Sequence, residues 1–218
     1  MRSGFLGRGI GPNAFGGGAA DWWAVAGQTC VAAYQPIGAA SLAASYINLA
    51  NPGTYDAAPG VAPTLVAAGW VFNGSTQYLT TGVVPSAGWS WAIRYSGYTS
   101  GTTSPMAAYI LSPTSYFGLF LLGANVEYLA GGHLDVSPQQ TAGILGIAGS
   151  YAYRNGVFDG EIPVGNGFPA LPFFLGSANL GGVPDSYFSG SIAAIAIYST
   201  TLSAADVAAL TTRMAALA

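Results

Sequence analysis

The sequence predicts an all-β fold, a two-sheet antiparallel sandwich closed by a terminal helix. Three observations carry that expectation. Short runs of aliphatic, β-branched and aromatic residues recur along the chain, with turn residues between them. The 32 glycines and 13 prolines fall mostly in those gaps, marking turns between ordered strands. Residues 188–210, FSGSIAAIAIYSTTLSAADVAAL, read as a strand that runs directly into a capped helix. All-β sandwiches often reach 218 residues as one unit, so a single large domain is expected.

The elements follow in order. Residues 1–20 form a Gly-rich arm without periodicity. In it Phe5, Leu6, Ile10 and Phe15 are spaced apolar anchors suited to docking on a neighbouring subunit. The folded domain is expected over 21–218, beginning with a strand at 31–34. At 39–49 Leu42, Tyr46 and Leu49 recur at helical spacing, and Asn51-Pro52-Gly53 ends the short helix. Residues 70–72 and 77–79 flank Asn73-Gly74, which predicts a hairpin. In residues 89–95, WSWAIRY, Trp89, Trp91, Ile93 and Tyr95 share one face, and Ser90, Ala92 and Arg94 share the other. Further strands are expected at 106–111, 116–122, 126–129, 143–148, 150–157, 173–176 and 192–198. The two at 116–122 and 126–129 pair across Gly123-Ala124-Asn125. Ser203 is expected to N-cap a helix over 203–216, with Asp206 at its third helical position.

Charged residues make up 6% of the chain, against roughly 25% in ordinary domains. All five basic residues are arginines: Arg2, Arg8, Arg94, Arg154 and Arg213. A free-standing domain normally covers itself with Lys and Glu. This composition implies a surface of neutral polar residues, partly covered by neighbours. A net charge of −3 and scattered arginines exclude a nucleic-acid partner, because no basic stripe exists to neutralise phosphates. The apolar run 116–122 is far short of the ~20 residues of a membrane helix, so no membrane span is expected. The opening MRSGFLGRGIGPN is broken by glycine, and no secretion signal is expected from it. Cys30 is alone, which rules out an internal disulfide and leaves it the part of a small buried hydrophobe.

Three segments carry a resemblance to the concanavalin A-like lectin/glucanase superfamily, in its laminin-G-like jelly-roll form. Residues 69–79, GWVFNGSTQYL, resemble its aromatic-x-Gly-Ser-x-x-aromatic-Leu strand pair. Residues 151–157, YAYRNGV, resemble its Tyr-x-Asn-Gly hairpin. The closing stretch resembles Phe-x-Gly-x-Ile-x-x-x-x-Ile-Tyr-x-x-x-Leu-Ser-x-x-acid-aliphatic, through Phe188, Gly190, Ile192, Ile197, Tyr198, Leu202, Ser203, Asp206 and Val207. The likeness covers residues 31–210. It departs from the pattern at 143–148, where a Trp-His strand is missing, and at 38–60, which reads as an elaboration. The resemblance implies two antiparallel sheets of about six strands each. Its members include carbohydrate binders, adhesion modules, glycosidases and virion surface proteins.

Catalytic members of this fold carry a Glu-x-Asp-x-x-Glu strand, which is absent here. The nearest feature is Asp159-Gly160-Glu161, which follows a hairpin beside Gly and Pro and reads as solvated loop acids. His133 and Asp135 form an isolated His-x-Asp. With one histidine and no cysteine partner they read as a solvated pair, and no zinc or catalytic site is expected. No cofactor is expected. Calcium, which some relatives hold on a rim, is left open by the loop acids Asp56, Asp135 and Asp185. For sugar binding the candidate platforms are Trp22, Trp23, Tyr55, Tyr128 and Tyr187. The low charge, the arm and the fold together lead to the expectation of a non-enzymatic virion surface protein, a phage capsid decoration or tail component. Its partners would be copies of itself and other shell proteins. The alternative is a carbohydrate-binding, lectin-like module that recognises surface glycans outside the cell, with a glycoside hydrolase third.

Overall fold

In the computed structural model, which describes residues 21–218, seventeen strands and two helices stack into three layers. The arm anchors Phe5, Leu6, Ile10 and Phe15, with Arg2 and Arg8, lie outside the described residues. The elements run β1 (Cys30–Tyr34), α1 (Leu42–Ser45), β2 (Ala58–Val61), β3 (Thr64–Val66), β4 (Gly69–Asn73), β5 (Tyr78–Thr80), β6 (Ser90–Ser96), β7 (Thr102–Leu111) and β8 (Thr114–Leu122). They continue through β9 (Asn125–Ala130), β10 (His133–Val136), β11 (Gly143–Ala148), β12 (Tyr151–Arg154), β13 (Val157–Glu161), β14 (Phe174–Leu175), β15 (Ala178–Leu180), β16 (Val183–Asp185), β17 (Ser189–Tyr198) and α2 (Ala204–Ala215).

The first sheet has the order β13-β12-β11-β6-β17-β4-β3, with β1 also paired to β17. The second runs β10-β9-β8-β7-β14-β5-β2, extended by β15, which lies parallel to β7, and by its partner β16. The fold is thus the expected two-sheet antiparallel sandwich with a C-terminal helix. β17 is its hub: it is ten residues long and pairs with β1, β4 and β6.

Strand alternation builds two cores. Between the sheets, Trp70, Phe72, Trp91, Ile93, Tyr95, Ile195 and Ile197 of the first sheet meet Leu79, Met106, Phe117, Leu119, Leu121 and Tyr128 of the second. On the other side of the first sheet, Ala92, Ala194, Ala196 and Tyr198 lie under Val207, Leu210 and Met214 of α2, with Trp22, Val25 and Ile37 filling the rim. Alanines on that face let the helix approach closely. Arg94, from the same face, donates from Nη1 to the carbonyls of Met214 (3.1 Å) and Leu217 (2.7 Å). These carbonyls lie at and just beyond the helix's last turn, where a cation is favoured. At its other end Ser203 and Asp206 form a complete capping box. Among the described residues the first sheet is therefore packed against on both faces, and the second leaves the outer face of its β7–β10 strands free.

Two sequence expectations are corrected, and a third, the short helix near 39–49, is present but shorter than its spacing implied. Residues 70–72 and 77–79 do not pair: β4 belongs to the first sheet and β5 to the second. The Asn73 carboxamide oxygen accepts the backbone N–H groups of Ser75, Thr76 and Gln77, and Gly74 (φ 71°) donates to the Phe188 carbonyl. The Asn-Gly pair therefore turns a corner between sheets. The helix expected at 39–49 is a single turn, because buried Asn48 pulls the chain out of it. Asn48 Oδ1 accepts from Ala33 and Ala50, and Nδ2 donates to the carbonyls of Val31 and Thr54. Asp159-Gly160-Glu161 is not loop but part of edge strand β13, with Asp159 engaged inside the hairpin.

Candidate functional site

The free face of the second sheet is built by the meander β7-β8-β9-β10, whose registers place outward side chains in rows. Tyr109 lies opposite Tyr116, Phe120 opposite Glu127, and Glu127 opposite Asp135. Tyr109 and Tyr116 stack with centroids 5.5 Å apart and planes 14° apart, and Phe120 stands edge-on to Tyr109 at 6.5 Å. Between Tyr116 and Phe120 the outward position is Gly118, with φ at 132°. A Cβ there would lie 2.2 Å from the Met106 carbonyl oxygen, so only glycine fits, and the row stays bare at its middle.

A cavity of about 440 Å³ opens over this row, within the range of small-ligand sites. Tyr109, Tyr116 and Phe120 give its aromatic lining, and Glu127, His133 and Asp185 its polar groups. One wall is the β15–β16 hairpin, contributing Ala178, Leu180 and Asp185, with Ser186 just beyond. The hairpin is anchored where the Ser104 N–H donates to the Ser186 carbonyl at 2.7 Å.

The polar groups are tuned by that setting. Glu127 is half-buried, and burial, then the nearby Asp135 charge, hold its carboxyl above the usual range; His133 opposes the shift. Burial, then Tyr109 and Glu127, raise the Tyr116 hydroxyl. That hydroxyl lies 3.1 Å from His133 Nδ1, which fixes the imidazole at the rim. An aromatic floor with carboxylates at one side can stack on the apolar face of a small polar ligand and accept hydrogen bonds from its hydroxyls.

The predicted platforms are scattered. Trp22 and Tyr128 are corrected as ligand contacts: Trp22 is 2% exposed in the helix-side core. Tyr128 is fully buried between the sheets, donating to Asp159. Trp23 is half-buried against Trp22, on the opposite side of the sandwich from the cavity. Tyr55 is exposed in the loop before β2. Tyr187 joins Tyr78 and Phe174 in a second aromatic group beside the β14–β5 pair of the same sheet. His133 is at the cavity rim, bonded to Tyr116, and its strand neighbour Asp135 faces Glu127.

The calcium candidates do not converge. Asp56 accepts from the backbone of Asn48 and Gly53, and Asp185 from Ser186. Among the described residues no three His, Cys, Asp or Glu side chains gather to hold a metal ion. Tyr109, Tyr116, Phe120 and Glu127 were not singled out from the sequence. The readable signal was Glu127, a lone charge at an outward position between Val126 and Tyr128.

No family model and no curated protein matches the chain in sequence. Solved structures do share the fold. A sialidase of Trypanosoma rangeli, in complex with sialic acid, has a TM-score of 0.59 at 14% identity, over 87% of this chain and 33% of that one. Domain 4 of AbnA, an extracellular GH43 arabinanase of Geobacillus stearothermophilus in complex with arabinotriose, has a TM-score of 0.57 at 17% identity. That match covers 84% of this chain and 98% of the domain. The chain spans about a third of the sialidase and nearly all of the arabinanase domain.

These likenesses correct the expectation of a non-enzymatic virion surface protein. The shared fold is found in a sialidase and in a domain of an arabinanase. The expectation that the chain is not an enzyme is withdrawn with it, since both structures belong to enzymes. The low charge that prompted the assembly reading has another outlet. Arg94, Arg154 and Arg213 all bond inside the fold, and the open face carries a cavity with acids.

Proposed function

We propose that this chain is a carbohydrate-binding sandwich of the concanavalin A-like, laminin-G-like type, taking a sugar on the outer face of its second sheet. The observation that carries the reading is the Tyr109–Tyr116–Phe120 lining beside Glu127 in a cavity of about 440 Å³. The rings offer apolar faces to sugar C–H groups, and the carboxylate accepts from hydroxyls. The arabinotriose held by domain 4 of AbnA, which shares the fold, supports the reading. A glycan array followed by calorimetry tests it. Tyr109→Ala is expected to weaken the best-bound sugar about tenfold, the worth of one aromatic contact. An array with no sugar bound at high protein concentration sinks the proposal.

A second reading, glycoside hydrolysis at the same cavity, is favoured by one relationship. Glu127 and Asp135 face each other across β9 and β10, and burial, then the Asp135 charge, raises the Glu127 carboxyl as a general acid requires. It predicts release of reducing ends from the bound sugar, lost in both Glu127→Gln and Asp135→Asn.

A further inference from the structure

We infer that the cavity selects neutral sugars and rejects acidic ones such as sialic acids and uronates. The inference rests on the sugar-binding reading and deepens it.

The charge balance of the site carries it. Glu127 and Asp185 line the cavity, and Asp135 lies directly across from Glu127. Among the described residues the one basic group there is His133, whose Nδ1 is already turned to the Tyr116 hydroxyl. A ligand carboxylate moved out of water needs a cation to replace its hydration. The chain has no lysine. Each described arginine is committed elsewhere. Arg94 bonds the carbonyls at the end of α2, Arg154 bonds Asp159, and Arg213 bonds the carbonyls of Trp22 and Ala24. Among the described residues, an acidic sugar would therefore meet two or three carboxylates across a partly desolvated gap with no compensating charge.

The same groups suit neutral sugars. An ionised carboxylate is an acceptor only, with two oxygens that can take two neighbouring hydroxyls at once. Charge-assisted bonds of this kind are about twice as strong as neutral ones. The cavity thus discriminates in both directions, by bonding to hydroxyls and by repelling carboxylates.

The test uses matched probes: galactotriose with trigalacturonate, lactose with 3′-sialyllactose, and arabinotriose as a further neutral chain. Calorimetry at pH 7 is run at low and high salt on the full chain and on Glu127→Gln, with thermal melts to confirm folding. The neutral member of at least one pair is expected to bind tenfold or more tightly than its acidic partner. High salt and Glu127→Gln should each narrow that gap, the variant by weakening the neutral sugar and admitting the acidic one. An acidic member that binds as tightly as its neutral partner, or more tightly, overturns the inference and leaves the sugar site standing. A gap unmoved by both salt and Glu127→Gln also overturns it, because charge is then not its cause. If none of the five probes, and nothing on the glycan array, binds, the sugar-binding reading fails and the inference with it.

Discussion

Asp159 and Arg154 are joined across the β12–β13 hairpin, Oδ2 to Nε at 2.9 Å, with only 17% and 12% of their side chains exposed. The same carboxylate oxygen accepts the Tyr128 hydroxyl at 2.8 Å, so it links the two sheets. Asp159→Ala would remove the acceptor of Arg154 Nε and the shorter bond of the Tyr128 hydroxyl, leaving the guanidinium the Pro138 carbonyl and the phenol the Tyr153 carbonyl at 3.3 Å, at a site nearly closed to water. A loss of about 2–4 kcal/mol in urea unfolding is expected, within the range for breaking partly buried charged bonds. A loss under about 0.5 kcal/mol would mean that water replaces the carboxylate freely.

Ile197 is fully buried on β17, between Trp91 of β6 and Ala32 of β1 in the ladder. Ile197→Ala should cost about 2–5 kcal/mol, combining lost transfer energy and a cavity in the hub strand. Chemical denaturation with an unchanged slope is the check.

Ser203 Oγ accepts the Asp206 N–H at 3.2 Å, and the Asp206 carboxylate accepts the Ser203 N–H at 3.2 Å. Ser203→Ala removes half of this exchange and should cost about 0.5–2 kcal/mol. Because α2 packs on the outer face of the first sheet through Val207, Leu210 and Met214, its fraying should also expose the amides of Leu210 and Met214 to faster hydrogen exchange.

Glu127 sets a pH signature. Its carboxyl is raised from an ordinary value of 4.5, chiefly by burial. The folded state therefore holds this proton more tightly than the unfolded chain does. The contribution is fully present below pH 4.5 and is lost as pH rises through the raised folded value. In stability profiles from pH 3 to 8, wild type should lose ground relative to Glu127→Gln over that window and run parallel to it above. Parallel curves throughout would mean that Glu127 is solvated.

Burial pushes the Cys30 thiol up to about 12. At pH 8 the native protein should react with a thiol probe at least tenfold more slowly than the urea-unfolded chain, because thiolate is the reactive form. Equal rates would place the sulfur in open solvent.

Much of the sandwich was legible because it is written locally. Residues 188–210 hold a strand-length apolar run, broken by one bulge between Ile192 and Ala194, and end on Ser203 and Asp206, a cap whose geometry needs only four residues. Asn73-Gly74 misled for a physical reason. The dipeptide specifies a turn, but which strand receives β4 is decided by Phe188 and Ser189, more than a hundred residues away. Asn48 misled in the same way, since its partners are distant backbone groups. The candidate site was harder still. In β8, TSYFGLFLL, both faces are apolar, so period-two reasoning cannot tell that Tyr116 and Phe120 point outward. Their role depends on the second sheet being left uncovered, which is a property of the layers.

The helix-side layer ties the two ends of the described chain together. Trp22 and Leu217 share one core there, and Arg213 bonds the carbonyls of Trp22 and Ala24. Both ends thus emerge on the side opposite the cavity. A tether or an affinity handle attached after Ala218 would hold the molecule by its back. Anchored to a sensor surface in that way, it would present Tyr109 and Glu127 to the solution, ready for the binding measurements above.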